Sequence, residues 1–437
     1  MHAAKRSYGA GRRRGAARRR WQFAVVGVAL IALAGAGCAS SPGGGSSGGK
    51  VTITELDYFT TGGANQAVIW WNKKFEQEHP GVTVQREVVP YADLITKVLL
   101  DASAGDLPNI VMIDNPDVPE VASTGQLRPV GNLPGFTTQG YYQGDMNECE
   151  YKGIYYCYPI GTDTVGIFYN KQMFAAAHLS PPATWAQLAS DAKALTKNGV
   201  YGIAFDATGD EQSTWQLEPY LWSNGASLTK VNSPQSVQAL QLWTEMVNDG
   251  SASKSVLQWG QDPDVTQQFL NKEAAMIEDG PWIFPELNAA GWKYNQQYGI
   301  VPIPVRILGQ KLIVPLGGET WDLGNSGNAE QQKLAWDWIL GQQSPSVMLY
   351  TSLLHYYLPA KPAVAAEELK QGPSYAVFAT ETAHARPRTT EYGASYPKVS
   401  EAIWTAIQSA ITGTASPPAA LNQAQSTISA VPEVSGS

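Results

Sequence analysis

The sequence predicts an α/β protein of more than one domain. Three observations carry this. Strand-like and helix-like periodicities alternate along the chain. No short-period repeat is present, which removes solenoid architectures. About 400 residues follow the N-terminal leader, more than one hydrophobic core organises, so two domains are expected.

The leader comes first. Lys5, Arg6, Arg12, Arg13, Arg14, Arg18, Arg19 and Arg20 stand among twenty residues without an acid, and an apolar run over Phe23–Ala34 follows. Gly35-Ala36-Gly37 then precede Cys38. Basic, apolar and small residues in this order form a secretory leader, and the run is too short for the roughly 30 Å hydrocarbon core of a bilayer. Cys38 after small residues resembles a bacterial lipobox. That resemblance implies a lipoprotein signal peptide over 1–37, a lipid on Cys38, and a mature chain held outside the cytoplasmic membrane. Arg19-Arg20 also admits a twin-arginine reading, so the export route stays open. Residues 38–50 are rich in Gly and Ser and form a flexible tether.

Val51–Phe59 alternates and is rich in β-branched and aromatic residues, which predicts a strand ended by Thr60-Thr61-Gly62-Gly63. Asn65–His79 places Val68, Trp71 and Phe75 on one helical face. Gly81–Val89 is a second strand, and Tyr91–Ala102 a second helix with Leu94, Ile95, Val98 and Leu99 clustered. Asn109–Ile113 is a short apolar strand ending at Asp114-Asn115. This alternation predicts a parallel sheet covered on both faces, with ligands bound beyond the carboxyl ends of its strands. Thr60, Thr61, Asp114 and Asn115 occupy such ends.

Further on, Ile154–Tyr169 holds strand material around Gly161-Thr162-Asp163-Thr164. Thr184–Lys197, Ser233–Asn248 and Ala329–Leu340 read as helices. Ala274–Ile277 is a strand running into Glu278-Asp279-Gly280-Pro281-Trp282, and Tyr298–Val305 is an extended crossing segment. Leu312–Leu316 reads as a further strand, followed by the Gly317-Gly318 turn and Glu319-Thr320-Trp321.

Charge narrows the function classes. Residues 1–37 hold eight of the 30 Lys and Arg and none of the 38 acids, which leaves 22 bases against 38 acids and a net charge of −16 from Cys38 onward. That balance argues against nucleic acid. Fourteen Trp and 20 Tyr are more rings than a core needs, and flat apolar faces with polar tips suit ligand stacking. Trp70, Trp71, Trp185, Trp243, Trp336 and Trp338 fall on helical patterns and are assigned to the core. Cys149 and Cys157 flank two short strands turning at Lys152-Gly153, which brings the sulfurs close, and export permits a structural disulfide. His2, His79, His178, His355 and His384 lack ligand spacing, so no metal is expected, and no cofactor.

Several motifs then stand in a telling order. They are Gly153-Ile154-Tyr155 with Tyr158-Pro159-Ile160, Ile167-Phe168-Tyr169-Asn170-Lys171, and Pro181-Pro182-Ala183-Thr184-Trp185. Phe269 with Lys272-Glu273-Ala274-Ala275-Met276 and Gly280-Pro281-Trp282 follow, then Ala385-Arg386-Pro387-Arg388. Over Val51–Val431 the chain resembles the bacterial extracellular solute-binding protein family 1, the sugar receptors of ABC importers. The resemblance implies a two-lobed periplasmic-binding-protein fold of type II, with a ligand cleft between lobes joined by crossing strands. The expected N-lobe is 51–158 with 306–355 and the C-lobe 160–303 with 358–430, crossing near Pro159–Asp163, Pro302–Pro304 and Leu358–Pro359. It also implies a monomer that is no enzyme, a carbohydrate ligand of two or more units, and permease subunits as partners.

Carried over by position, the resemblance makes Asp163 the acid that accepts sugar hydroxyls and Trp282 the ring that stacks on a sugar. Trp215 is a further cleft aromatic, and Asp114 and Asn115 line the N-lobe side with Thr60 and Thr61. Gly318, Glu319 and Trp321 follow, then Arg386 and Tyr392. The chemistry agrees: sugars present apolar C–H faces and hydroxyl edges, which call for aromatic platforms and fixed carboxylates. Rival readings are a peptide or polyamine receptor, a ferric-ion receptor through Tyr356-Tyr357, and an extracytoplasmic glycosidase. The last needs two carboxylates held across a glycosidic bond. Adjacent tyrosines on an extended strand would point to opposite faces.

Overall fold

A computed structural model describes residues 49–433. The leader over 1–37, the Cys38 lipid site and all but the end of the 38–50 tether lie outside the described residues.

The first body grows from β1 (Val51–Asp57), α1 (Gly62–Glu78), β2 (Val82–Val88), α2 (Tyr91–Ala104) and β3 (Ile110–Asp114). The α1 helix buries Val68, Trp71 and Phe75, one face at helical spacing. The α2 helix buries Leu94, Val98 and Ala102, and ends on Gly105 with a left-handed φ of 71°. A hairpin of β4 (Glu150–Tyr151) and β5 (Ile154–Tyr155) turns at Lys152 and Gly153, both with positive φ, and the Cys149–Cys157 disulfide closes its base. β6 (Cys157–Pro159) and β11 (Glu319–Leu323) complete a five-stranded sheet of order β2-β1-β3-β11-β6.

The second body is built on β7 (Gly166–Asn170), β8 (Tyr201–Ala204), β9 (Ala274–Asp279) and β10 (Tyr298–Val301), in the order β10-β7-β9-β8. Every residue of β9 is buried, as befits a central strand. Helices Trp185–Leu195, Glu211–Ser223, Pro234–Asn248, Tyr396–Thr412 and Pro417–Ile428 cover this sheet, and their inward residues merge into one core around Trp222, Trp243 and Tyr220.

Two differences from the sequence reading have physical causes. The sheets are mixed, because β11 enters antiparallel to both β3 and β6, and β7 lies antiparallel to β9 and β10. Segment 312–316 is irregular, and the strand begins at Glu319. Leu312 and Ile313 pack on the second body's core, and a Ser223–Ile313 hydrogen bond of 2.9 Å holds them there.

The bodies are joined by segments lying side by side. Thr162 and Leu358 exchange backbone hydrogen bonds of 2.7 and 3.0 Å, and Asp163 and Gly317 exchange bonds of 3.2 and 3.0 Å. The Pro302–Pro304 stretch is not among these. Ile303 is buried in the second core, and Val305 pairs with Thr184 of the same body. Among the described residues, no helix is long and apolar enough to cross a membrane.

Candidate functional site

A cavity of about 420 Å³ opens where the two bodies face each other across the joining segments, within the 300–1,000 Å³ usual for small-molecule sites. Its first wall is the loop after β1. Arg86 holds that loop: its guanidinium pairs with Asp57, reaches Asn65 Oδ1 at 2.6 Å and donates to the Phe59 carbonyl at 2.9 Å. Asp57 Oδ1 also accepts from the Phe59 N–H at 2.6 Å. Tyr58, Thr60 and Thr61 are thereby presented to the cavity.

Asp114 ends β3 and lies directly across from Glu319, the first residue of β11, so two strand ends place two carboxylates at one rim. Gly317 and Gly318 are required by this junction. A Cβ on Gly317 would come 1.9 Å from the Trp215 ring and 2.1 Å from Asp163 Oδ1. Gly318 has φ 122°, and a Cβ there would meet the Gly161 carbonyl at 2.4 Å.

The opposite wall comes from the second body. Asp210 caps the helix Glu211–Ser223, accepting from the Gln212 N–H at 3.0 Å, which aims Glu211, Gln212 and Trp215 at the cavity. The turn after β9 is held by Asp279, which accepts from Gly280 N–H at 2.9 Å and from Thr266 Oγ1 at 3.0 Å. A Cβ on Gly280 would overlap the Trp282 ring, so glycine lets the indole fold back over its own turn, half-buried at the rim.

Arg388 stands where the walls meet. Its guanidinium donates to Asp114 Oδ1 at 2.9 Å, to Glu211 Oε1 at 2.7 Å and to Asn115 Oδ1, and lies 4.7 Å from the Trp215 ring centre. Its backbone N–H donates to Glu148 at 2.9 Å.

Burial, then the charge of Glu319, hold the Asp163 carboxyl well above the usual carboxylate range. Burial and the charge of Asp114 push Glu319 up to about 7, against hydrogen bonds from Tyr58 and Tyr357. Burial alone lowers His355 to about 3, so it faces the cavity as a neutral ring.

Of the residues singled out from sequence, Thr60, Thr61, Asp114, Asp163, Trp215, Trp282, Gly318 and Glu319 line this cavity. Four do not. Asn115 lies behind the wall: its side chain reaches the site through Arg388, and its backbone N–H donates to the Gly318 carbonyl at 3.1 Å. Trp321 is buried in the first core, edge-on to Trp338 at 4.8 Å. Arg386 pairs with Glu391 and stacks over Trp222 at 4.7 Å. Tyr392 is packed into the second core. Tyr58, Tyr91, Glu211, Tyr357 and Arg388 were missed. Arg388 stood in view, two residues past Arg386 in the Arg-Pro-Arg motif, whereas Glu211 carried only its place just after a helix cap. Tyr356 and Tyr357 diverge: Tyr357 lines the cavity, while Tyr356 caps a helix in the left-handed region and stacks on Tyr375 at 6.3 Å.

Two α/β bodies around a cleft, bridged by side-by-side segments, define a two-lobed ligand-binding fold. Residues 70–377 match the profile of the bacterial extracellular solute-binding proteins, and the chain belongs to that family. A binding protein of Brucella abortus is 25% identical over 323 residues, covering 72% of this chain and 75% of the relative. The maltodextrin-binding protein MdxE of Bacillus subtilis is 24% identical over 342 residues, 72% of this chain and 75% of the relative. The maltose-bound structure of MalE3 from T. maritima superposes with a TM-score of 0.79 at 20% identity, covering 86% of this chain and 99% of that one, and so shares the fold.

Proposed function

We propose that this protein is the lipid-anchored receptor of an ABC importer, capturing a di- or oligosaccharide between its lobes and delivering it to a membrane permease. The observation that carries the reading is the pairing of a half-buried Trp282 ring with Asp163, whose carboxylate has no side-chain hydrogen-bond partner among the described residues, on one cavity. A ring face suits sugar C–H groups, and an unengaged carboxylate suits hydroxyls. The maltodextrin-binding relative and the maltose-bound neighbour support the same class. The N-lobe is taken as 51–158 with 319–355, and the C-lobe as 160–316 with 358–430, because Leu312 and Ile313 pack with the second core. The chain acts as a monomer, anchored through Cys38. Replacing Cys38 with Ala should release a folded protein from the membrane fraction, and continued membrane retention after leader cleavage would contradict the anchor.

A thermal-shift panel of mono-, di- and oligosaccharides tests the ligand class. A sugar at 100 times its Kd adds about 2.7 kcal/mol, a shift of several degrees. A panel in which no saccharide moves the transition, while a peptide or polyamine does, would replace the reading.

A further inference from the structure

The cavity holds an imbalance of charge. Six carboxylates line it: Asp114, Asp163, Glu211, Asp262, Glu286 and Glu319. Arg388 is the single Lys or Arg among its lining residues, and its guanidinium is engaged by Asp114 and Glu211. Among the described residues, the other four acids form no ion pair, and His355 is neutral.

Two of the four are also deeply buried. Asp163 is 4% exposed and Glu319 6% exposed. Tyr58 and Tyr357 donate to Glu319 Oε1, but its Oε2 is enclosed without a partner. The Asp163 carboxylate lies over Gly317, two residues before Glu319. Enclosing a carboxylate with neither a counter-charge nor a full set of donors is unfavourable, and the deficit is met by protonation or by a ligand. Burial and the neighbouring Glu319 already hold Asp163 well above the usual range, so the pair resists full ionisation. A neutral hydroxyl supplies one donor and no charge, whereas an ammonium supplies three donors and a full positive charge. Trp282 at the same rim offers a ring face that also attracts a cation. An anionic sugar would meet four uncompensated acids.

We propose that the cleft selects a saccharide bearing a protonated amine, its ammonium seated against Asp163 and Glu319; this rests on the saccharide reading above. Calorimetric titration at pH 6.5 with pairs differing at the amine would test it: glucosamine and glucose, galactosamine and galactose, and the β-1,4 glucosamine dimer and cellobiose, with spermidine as a sugar-free cation. The expected result is at least tenfold tighter binding of the amine in every pair that binds, and a ratio falling to about one in both Glu319→Gln and Asp163→Asn. Equal or tighter binding of any neutral member, no binding by any amino sugar while neutral sugars bind, or a ratio unchanged in a folded variant would overturn the selectivity and leave the saccharide reading standing. Binding of spermidine with no sugar of either kind would instead overturn the saccharide reading, and this proposal with it.

Discussion

The Arg388 guanidinium donates to Asp114 at 2.9 Å and, through its other terminal nitrogen, to Glu211 at 2.7 Å. It thereby ties the end of a first-body strand to the start of a second-body helix. Asp114 and Glu211 are both largely enclosed, so the arginine is their shared counter-charge. Burial of such a group is tolerated because each charge has a partner.

Arg388→Met should therefore destabilise the protein by about 3–5 kcal/mol, since two enclosed carboxylates lose their cation. Adding Asp114→Asn and Glu211→Gln should recover much of the loss. Urea unfolding checks both. A single variant as stable as the parent would show that the clasp contributes nothing.

Trp282 and Trp215 should separate binding from packing. Trp282 is half-buried at the cavity rim, so Trp282→Ala should weaken sugar binding about ten- to a hundredfold with a modest change in unliganded stability. Trp215 is 5% exposed, beneath Arg388 and against Gly317, so Trp215→Ala should also cost about 3–5 kcal/mol of stability. Calorimetry and unfolding on the two variants give the comparison. Unchanged affinity in Trp282→Ala would remove that ring from the site.

Stability should fall as pH rises from 6.5 to 8.5. Burial pushes Glu319 and Glu148 up to about 7, and Asp206, Glu368 and Glu381 up to about 8. Unfolded carboxyls are already ionised in this window, so the folded state binds more protons and loses stability as these are removed. The opposite sign enters below pH 6.5. There His355, held to about 3 by burial, resists a proton that the unfolded chain accepts. The melting temperature should thus be higher at pH 6.5 than at pH 8.5, and Glu368→Gln should flatten the difference. A higher value at pH 8.5 would contradict the assignment.

The disulfide is expected to serve stability alone. Cys149–Cys157 closes a hairpin none of whose residues lines the cavity, so Cys149→Ser with Cys157→Ser should cost about 2–3 kcal/mol and leave sugar affinity in place. Peptide mapping of unreduced protein locates the bridge, and a large loss of affinity in the folded double variant would tie the hairpin to binding.

What could be read from sequence depended on how local its cause was. The run from β1 to β3 is a strand–helix alternation with strong periodicity, and its boundaries fall within three residues of the reading. The strand was expected at Leu312–Leu316 because that run is wholly apolar, whereas the strand Glu319–Leu323 carries Glu319, Thr320 and Asp322; packing of Ile313 against Ser223, 90 residues away, keeps the apolar run out of the sheet. Trp321 illustrates the same limit. A ring two residues past a cleft glutamate faces Trp338, and only the partner helix determines that. Tyr58 could have been found, since it immediately follows the predicted strand's last charged residue. Glu211 and Tyr357 meet the cleft through tertiary contacts alone.

The two lobes should close on their ligand. A receptor that signals occupancy to a permease needs two shapes, and a sugar touching both lobes favours the closed one. The proposed hinge is the set of segments at 160–163, 317–319 and 358, which lie side by side through five backbone hydrogen bonds, between Ile160 and Glu319, Asp163 and Gly317, and Thr162 and Leu358. Small-angle scattering of the protein with and without a saturating saccharide identified by thermal shift measures this directly. The expected result is a smaller radius of gyration with the sugar. A saccharide that binds tightly and leaves the radius unchanged would contradict it and mark the protein as a rigid binding module.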